Sequence, residues 1–383
     1  MKKSVNILPQ ARRIIISGGG TGGHIFPAIA IANALKENDA NVKILFIGAA
    51  GRMEMEKIPA AGYRIIGLPV RGFNRKNPLK NIAVVYKLIV SLFIVRKIIK
   101  LFRPDVVVGV GGYVSAPALW TASRMRIPVV IQEQNSYAGI ANKLLSRKAD
   151  KICVAYEGME RFFPKEKIVF TGNPVRIELA ECHLLREQGI NFFELDANKR
   201  TILVMGGSLG ARSINQSVEA YLERLPDNIQ LLWQTGNNYF EHAKMLLDRH
   251  KTPNVKIFAF INRIDLAYSA ADLVVSRAGA GAISELSIAA KPCILTPSPN
   301  VAEDHQTKNA MVLVEKNAAI MVSDSDAHKK LMSKAIETVQ NKQTLDTLAK
   351  EIKNLAKHHA AESIAAEIFY LLNKPSCLKN SAV

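Results

Sequence analysis

Short apolar runs alternate with longer, partly polar stretches along most of the chain. The runs are rich in Val, Ile and Leu, which is typical of buried strands. In the first half they are Ile14–Ser17, Val42–Ile47, Val106–Gly109, Val129–Gln132 and Lys151–Val154. In the second half they are Ile202–Met205, Gln230–Gln234, Lys256–Phe260, Leu273–Ser276 and Cys293–Thr296. Because segments of helical length separate most of them, the pattern predicts an α/β fold with parallel sheets covered on both faces.

The two series of strands predict two domains, which also suits a chain of 383 residues. The first series ends near Gly172–Pro174, and a largely polar stretch from Arg186 to Arg200 precedes the second. We therefore place the N-terminal domain at residues 1–175 and the C-terminal domain at residues 176–359. A helical pattern from Leu345 to Leu372 closes the chain.

Four predicted strands are followed by a glycine-rich turn and then by a helical pattern. They are IIISGGGTGGH (14–24), VVVGVGGYVSAP (106–117), ILVMGGSLGAR (202–212) and LVVSRAGAGAISE (273–285). Glycine lets a ligand approach the backbone closely, and the helix start behind it offers N–H groups to an anion. A single turn of this kind is explained equally well by a tight connection between strand and helix. Four of them favour phosphate or sugar ligands in a cleft between two domains.

The first turn satisfies GxGxxG, but neither common reading of it agrees with its surroundings. A nicotinamide site requires an acid at the end of the second strand, and VKILFIG ends at Gly48 without one. A phosphate-binding P-loop requires lysine where His24 stands. In the fourth turn, Glu285 lies about one turn into the helix, where a carboxylate can accept both hydroxyls of a ribose. Its alternative role is a first-turn carboxylate stabilised by the helix dipole.

The net charge of +18 predicts an anionic partner: a nucleic acid, an acidic lipid or a phosphorylated ligand. Four scattered cysteines suggest neither a zinc site nor a disulfide scaffold, and so indicate a reducing compartment. The first residues contain no signal peptide, and the uncharged run Leu88–Val95 is far shorter than the ~20 residues of a spanning helix. We expect a cytoplasmic protein that does not cross a membrane.

Much of the positive charge lies in one segment. Ten Lys or Arg and no Asp or Glu occur from Arg64 to Arg103, around an apolar stretch. This pattern favours an interfacial helix or hairpin on an anionic membrane, with a core helix that has a solvated basic edge as the alternative. A nucleic-acid partner is not expected, because no basic and aromatic interleaving or reader motif is present.

Several motifs together resemble one family. GGGTGGHIFPA, GGYVSAPA, EQN, GNPVR, GGSLGA and the block 276–310 are similar to MurG-type enzymes, the UDP-N-acetylglucosamine transferases of glycosyltransferase family 28. The resemblance implies a GT-B fold, with two Rossmann-like domains facing a deep cleft. It also implies a C-terminal helix, at about 360–375, that returns to the first domain.

The resemblance further implies an activity. An inverting hexosyltransferase would move N-acetylglucosamine from its UDP form to the muramyl C4 hydroxyl of lipid I, giving lipid II for peptidoglycan synthesis. No metal and no cofactor are expected. The alternatives are a GT-B transferase with another lipid acceptor, or a non-catalytic membrane adaptor that binds sugar nucleotides.

The same resemblance implies roles for individual residues. The donor diphosphate would be held by Arg176 and Ser208, the uracil by Ile261 and the ribose by Glu285. The donor site would be lined by Ala280, Gly281, Ala282, Ile283 and Ser284. The donor sugar would contact Asn135 and Gln306, with Thr21, Gly22 and Gly23 approaching from the N-terminal domain. The acceptor would contact Gly20, Gly111, Gly112, Tyr113 and Ser115.

The acceptor hydroxyl needs a base within hydrogen-bonding reach. His24 follows the first glycine turn, and histidine is the side chain suited to proton transfer near neutral pH, so it is the first candidate. Its alternative role is to donate to a backbone oxygen and hold the loop. Glu133 is the rival base. The family often has histidine before EQN, whereas this chain has Gln132 there, which argues against an essential histidine at that position.

The expected partners are UDP-N-acetylglucosamine, lipid I and the anionic surface of the bacterial inner membrane. The protein would lie on the cytoplasmic face as a peripheral protein, with cell-wall synthesis and division proteins as further candidate partners. One string resembles a metal motif, Asp324-Ser325-Asp326, but it precedes a helical stretch and is better interpreted as a helix cap.

Overall fold

A computed structural model describes residues 11–72, 81–207 and 209–373. The chain divides into two compact units. Unit 1 contains Met1–Val175 together with His359–Val383, and unit 2 contains Arg176–His358.

Within its described residues, unit 1 is built on a sheet of seven parallel strands. They are β1 Arg13–Ser17, β2 Lys43–Ala49, β3 Arg64–Leu68, β4 Val106–Gly109, β5 Val129–Glu133, β6 Lys151–Val154 and β7 Ile168–Phe170. Their order is β3-β2-β1-β4-β5-β6-β7, so the direction of winding reverses between β1 and β4. Ser17 pairs with Gly109 at the carboxyl ends of these two strands. Open α/β sheets bind ligands at such a switch point.

Helices cover both faces of this sheet. They are α1 Gly22–Asn38, α2 Glu54–Ala60, α3 Asn81–Phe102, α4 Ser115–Arg124 and α5 Ile140–Leu145. Successive residues of β1 point to opposite faces: Ile15 belongs to the core with α3 and α4, and Ile14 and Ile16 belong to the core with α1. All three are fully buried, which explains why β1 has a continuous apolar sequence.

Unit 2 repeats the plan with a parallel sheet of six strands in the described chain. They are β8 Arg200–Met205, β9 Ile229–Gln234, β10 Val255–Phe258, β11 Leu273–Ser276, β12 Cys293–Leu295 and β13 Ile320–Met321, in the order β10-β9-β8-β11-β12-β13. The helices are α6 Arg186–Phe192, α7 Arg212–Glu219, α8 Asn237–His250, α9 Ile264–Ala270, α10 Ala280–Ile288, α11 His305–Val314, α12 Ala327–Gln340 and α13 Lys342–Asn354. Met205 pairs with Ser276 at the switch point between β8 and β11.

The last described helix, α14 Ala360–Asn373, packs against α1 of unit 1. Ile364 and Ile368 are fully buried there, and Lys151 of β6 forms an ion pair with Glu367 at 3.0 Å. The helical pattern from Leu345 to Leu372 is therefore two helices in two units rather than one segment, with a break between Asn354 and Ala360.

The α/β class and the two parallel sheets predicted from the sequence are confirmed. All ten predicted strands form, with ends within two residues of those predicted. Three further strands, β3, β7 and β13, were not predicted. Each lies at an edge of its sheet and keeps partly exposed residues, so none has a continuous buried apolar run.

Candidate active site

The turn after β1 leads directly into α1. Gly20 has φ +88°, which only glycine adopts readily, and Thr21 is the N-cap residue. The Thr21 carbonyl accepts hydrogen bonds from His24 N at 3.1 Å and Ile25 N at 3.3 Å. Thr21 and Gly23 are exposed, and His24 is half-buried. The start of α1 thus presents backbone N–H groups and the His24 ring at the carboxyl edge of the sheet.

The turn after β4 packs against His24. Gly111 and Gly112 have φ of +96° and +80°. A Cβ at Gly111 would lie 3.2 Å from His24 Cε1, and one at Gly112 would lie 3.1 Å from His24 Cδ2. Tyr113 Cε1 lies 3.6 Å from the position of a Cβ on Gly20. The structure therefore brings together most of the residues predicted for the first two glycine turns, and two glycines leave room for the imidazole.

Ser115 is the exception among them. It is fully buried, and its hydroxyl donates a 2.8 Å hydrogen bond to the Gly112 carbonyl. A side chain in this position braces the turn from inside. The structure argues against the predicted direct contact between Ser115 and the acceptor.

Glu133 also has a different environment from the one a general base needs. It is 2% exposed. Its Oε1 accepts hydrogen bonds from Asn135 N and Nδ2, and its Oε2 accepts them from Gly139 N at 2.9 Å and Asn142 Nδ2 at 2.8 Å. These contacts fix the loop between β5 and α5, and they orient Asn135. The geometry argues against Glu133 as the base and leaves His24 as the candidate.

Gln132 belongs to a buried amide network. Its Nε2 donates to Asn173 Oδ1 at 3.0 Å, and its Oε1 accepts a hydrogen bond from Gln134 Nε2. Gln134 Nε2 also donates to the Val110 carbonyl at 2.6 Å, just before the second glycine turn. Since all its contacts point inward and it is fully buried, Gln132 supports this turn rather than contacting a ligand.

In unit 2, the turn after β8 is folded as tightly as the two glycine turns of unit 1. Gly207 and Gly210 have positive φ, and a Cβ at Gly210 would lie 2.1 Å from the Thr235 carbonyl oxygen. The predicted diphosphate ligand Ser208 stands in this turn but lies outside the described residues. Gln234, at the end of β9, joins this turn to the predicted uracil site: its Nε2 donates to Gly207 O at 3.1 Å, and Ile261 N donates to its Oε1 at 2.9 Å.

Replacing Gln234 with leucine is expected to lower the free energy of unfolding by about 2 kcal/mol, because the change leaves the buried Ile261 N–H without a partner. Chemical denaturation measures this change. The exposed Gln343 of α13 offers a matched control, and Gln343→Leu is expected to change stability by less than about 0.5 kcal/mol. Equal stability of the two variants would contradict this role of Gln234.

Glu285 is held by a tyrosine that the sequence did not single out. Tyr268 of α9 is fully buried, and its hydroxyl donates to Glu285 Oε2 at 3.4 Å. Burial raises the pKa of the Glu285 carboxyl, while the positive charge of Arg176 and the Tyr268 hydrogen bond lower it in part. Arg176 is exposed and lies at the N-cap of the 3₁₀ helix Ile177–Leu185. The two residues predicted to hold ribose and diphosphate thus act on each other electrostatically.

The other predicted donor residues divide into two groups. Ile261 and Ile283 are 4% and 3% exposed, so their side chains belong to the core and only their backbone can meet a ligand. Gly281 is half-buried and has open space where a Cβ would lie. Gln306 uses its Oε1 to accept from Ser298 N at 2.8 Å, which directs its amide end. The remaining lining residues, at the start of α10, are Ala280, Ala282 and Ser284.

The Asp324-Ser325-Asp326 string lies directly before α12, as predicted. Asp324 Oδ1 accepts hydrogen bonds from Arg277 Nη1 and Ser213 Oγ, both at 2.5 Å. Asp326 is the N-cap of α12 but makes no capping hydrogen bond with its side chain. Asp326 therefore occupies the predicted cap position without making the capping hydrogen bond, while Asp324 braces Arg277. In the described part of the chain, no three His, Cys, Asp or Glu side chains are arranged to hold a metal ion.

Two family models match the chain in the order of its units. Residues 14–154 match the glycosyltransferase family 28 N-terminal domain, and residues 201–367 match the glycosyltransferase family 28 C-terminal domain. Together they include both switch points and all four glycine turns.

Curated relatives are similar over nearly the whole chain. A Parabacteroides distasonis protein named UDP-N-acetylglucosamine--N-acetylmuramyl-(pentapeptide) pyrophosphoryl-undecaprenol N-acetylglucosamine transferase is 54% identical over 363 residues, 94% of this chain and 99% of that protein. A Phocaeicola vulgatus protein of the same name is 56% identical over 364 residues, 94% of this chain and 97% of that protein.

Solved structures agree with this relationship. MurG of Acinetobacter baumannii has a TM-score of 0.76 at 27% identity, over 94% of this chain and 99% of that one. A UDP-GlcNAc 2-epimerase from Neisseria meningitidis has a TM-score of 0.64 at 16% identity, over 94% of this chain and 100% of that one, which shows a common fold alone. The chain therefore belongs to glycosyltransferase family 28, among its MurG-type transferases.

Proposed function

We propose that this chain transfers N-acetylglucosamine from UDP-N-acetylglucosamine to the muramyl C4 hydroxyl of lipid I, with inversion, giving lipid II. Relatives that share more than half of its residues carry the name of this reaction. The observation that carries the proposal is the His24 ring, which follows the first glycine turn and packs against the second at the switch point of unit 1. A half-buried imidazole at such a place is suited to receive a proton from a sugar hydroxyl.

In the proposed step, His24 takes the proton of the acceptor hydroxyl while its oxygen attacks the anomeric carbon. The bond from that carbon to the diphosphate breaks, and its electron pair leaves with UDP. Arg176 and the glycine turn before α7 stabilise the charge on the leaving diphosphate. Glu285 accepts hydrogen bonds from the ribose hydroxyls, and Asn135 and Gln306 orient the transferred sugar.

The two units have different tasks in this scheme. Residues 1–175, with the helix that returns near residue 360, bind lipid I and the membrane. Residues 176–359 bind UDP-N-acetylglucosamine. The second turn, in which Gly111 and Gly112 have positive φ, would meet the acceptor phosphate oxygens with its backbone, beside the start of α4.

The test is transfer of labelled N-acetylglucosamine from its UDP form to a short-chain lipid I analogue, with diacylglycerol and a macrolide as competing acceptors. Product on the lipid I analogue alone supports the proposal. Product on another acceptor alone would replace it with the corresponding glycosyltransferase. Binding of UDP-N-acetylglucosamine without any turnover would favour a membrane adaptor.

We also propose that α3 contacts the cytoplasmic face of the bacterial inner membrane. Four of its exposed apolar residues recur at helical spacing and so share one face. They are Ile82, Tyr86, Ile89 and Phe93, of which Phe93 is 70% exposed. Val84, Ser91 and Val95 are buried on the opposite face. Among the residues that the structure describes, no helix is both long enough and apolar enough to cross a membrane.

We extend the proposed membrane surface to the neighbouring helices. α4 packs against α3, and α5 packs against α4. Trp120 of α4 lies between two cations, with Arg124 at 5.2 Å and Lys148 at 5.7 Å from its ring. Leu144 of α5 is 75% exposed. Apolar and aromatic side chains ringed by basic ones suit an anionic lipid surface, where cell-wall synthesis and division proteins are further candidate partners.

A double variant of α3, Ile89→Ser with Phe93→Ser, is expected to bind vesicles rich in phosphatidylglycerol about 10-fold more weakly, because two apolar side chains no longer enter the interface. Vesicle co-sedimentation measures the binding. Met245→Ser is the control, since Met245 is also exposed but lies on α8 of unit 2. Unchanged binding of the double variant would remove α3 from the proposed membrane surface.

A further inference from the structure

Glu54, the first residue of α2, is fully buried beneath the first glycine turn. Gly20 N donates to both of its carboxylate oxygens, at 3.1 and 3.2 Å. Ala49 N, at the end of β2, donates to Oε1 at 3.0 Å. One side chain therefore ties the turn that precedes His24 to the end of the neighbouring strand.

The contact between Glu54 and this turn is close enough to require glycine in the turn. A Cβ on Gly19 would lie 2.1 Å from Glu54 Oε1, and one on Gly48 would lie 2.7 Å from Glu54 Cγ. Gly19 has no positive φ, in contrast to Gly20. Glycine is thus needed at position 19 for the space that Glu54 occupies, and not for the backbone conformation.

A continuous set of contacts leads from Glu54 to His24. The Gly19 carbonyl oxygen lies 2.4 Å from the position of a Cβ on Gly112, and His24 Cδ2 lies 3.1 Å from the same position. The Gly19–Gly20 peptides are therefore packed between the Glu54 carboxylate on one side and the second glycine turn on the other. Any shift of the first turn moves the surface against which the His24 ring rests.

We propose that Glu54 is a positioning residue for the transfer step: its carboxylate holds the Gly19–Gly20 turn, and through it the orientation of His24. The kinetic consequence of this inference rests on the proposed function. The contact between Glu54 and the turn does not depend on that function. It also revises the predicted contact between Gly20 and the acceptor. The Gly20 N–H already donates to a carboxylate, so the turn offers an acceptor phosphate no donor at that position.

Four variants test the proposal. Glu54→Gln keeps the shape but places an N–H group near Gly20 N. Gly19→Ala adds a methyl group that collides with the carboxylate. In the double variant, Gly19→Ala with Glu54→Asp, the acidic side chain is one methylene shorter. Its carboxylate then lies farther from position 19 and leaves room for the added methyl group. Glu56→Gln, on the same helix, is the matched control, since its side chain is 77% exposed.

In the lipid I assay, Glu54→Gln and Gly19→Ala are expected to lower kcat at least about 10-fold, with the KM for each substrate within about 3-fold of the wild-type value. The kcat of the double variant is expected to be at least about 5-fold higher than that of Gly19→Ala. Glu56→Gln is expected to match the wild type. A folded Glu54→Gln protein with wild-type kcat, or a double variant whose kcat is no higher than that of Gly19→Ala, would overturn the proposal.

An NMR measurement tests the same contact without turnover. The His24 Cε1–Hε1 signal, assigned by its disappearance in His24→Ala, is expected to move in Glu54→Gln and in Gly19→Ala. It should return toward its wild-type position in the double variant and stay in place in Glu56→Gln. If the signal does not move in Glu54→Gln, the positioning role is rejected, whatever the lipid I assay shows. If the signal responds but the wild type makes no lipid II, only the proposed function fails.

Discussion

His24→Ala is expected to lower kcat for transfer to a lipid I analogue by several hundred-fold or more, within the range of roughly 10²–10⁴ that a general base contributes. The imidazole follows the first glycine turn of unit 1 and packs against Gly111 and Gly112 of the second, whereas Glu133, the rival base, is buried and accepts hydrogen bonds from three residues. The measurement is the steady-state rate with both substrates saturating.

The control is His328→Ala, because His328 is exposed on α12 of unit 2. It is expected to leave kcat unchanged. A loss below about 10-fold in a folded His24→Ala protein would make His24 a residue that organises the loop, since a lost base costs more. Attention would then return to Glu133, for which Glu133→Gln is the corresponding variant.

Glu285→Gln is expected to raise the KM for UDP-N-acetylglucosamine about 10- to 100-fold, because an amide oxygen accepts the ribose hydroxyls more weakly than a carboxylate does. The KM for the lipid I analogue is expected to stay within about 2-fold of the wild-type value. Glu337→Gln, an exposed glutamate of α12 in unit 2, is the control. An unchanged donor KM would remove Glu285 from the ribose site.

The same variant is expected to melt higher than the wild type when no ligand is present. Burial raises the pKa of the Glu285 carboxyl, so the folded protein keeps this proton to a higher pH than the unfolded chain does. Stability is therefore lost as pH rises from the unfolded pKa through the raised folded pKa, and the cost is complete above it. Glutamine does not ionise and avoids this cost.

The difference in Tm between Glu285→Gln and the wild type should accordingly be small below the unfolded pKa of glutamate. It should grow to about 2 °C at neutral pH. Differential scanning fluorimetry across this pH range measures it. A wild type that is the more stable protein at neutral pH would show that Arg176 and Tyr268 more than offset the desolvation of the carboxylate.

Interior strands were predicted from the sequence because helices bury them on both faces. Ile14, Ile15 and Ile16 of β1 show this most clearly, since every one of them is fully buried. β3, with the sequence RIIGL, alternates exposed and partly buried residues and lies at the sheet edge. Its exposed residues interrupt the apolar pattern, which therefore resembles that of a loop.

The residues that support the site were not predicted, because no local pattern in the sequence marks them. An acid was sought at the end of β2, and Glu54 stands five residues beyond Ala49, whose N–H it accepts. Gln234 ends an apolar run and Tyr268 lies in a short helical stretch, and no spacing marks either residue. Their roles come from hydrogen bonds to Gly207, Ile261 and Glu285, which are distant in sequence.

The sequence by itself determined the class of fold, the four glycine turns, the family and the choice of His24, because these depend on local periodicity and on motifs that are contiguous in the chain. Only the tertiary structure decided which candidates face a ligand. It turned Ser115, Glu133 and the side chain of Ile283 inward, and it placed Glu54 under the first turn. The reason is physical: burial and hydrogen-bond partners are set by segments that meet in space, and a strand or helix pattern does not specify which segments meet.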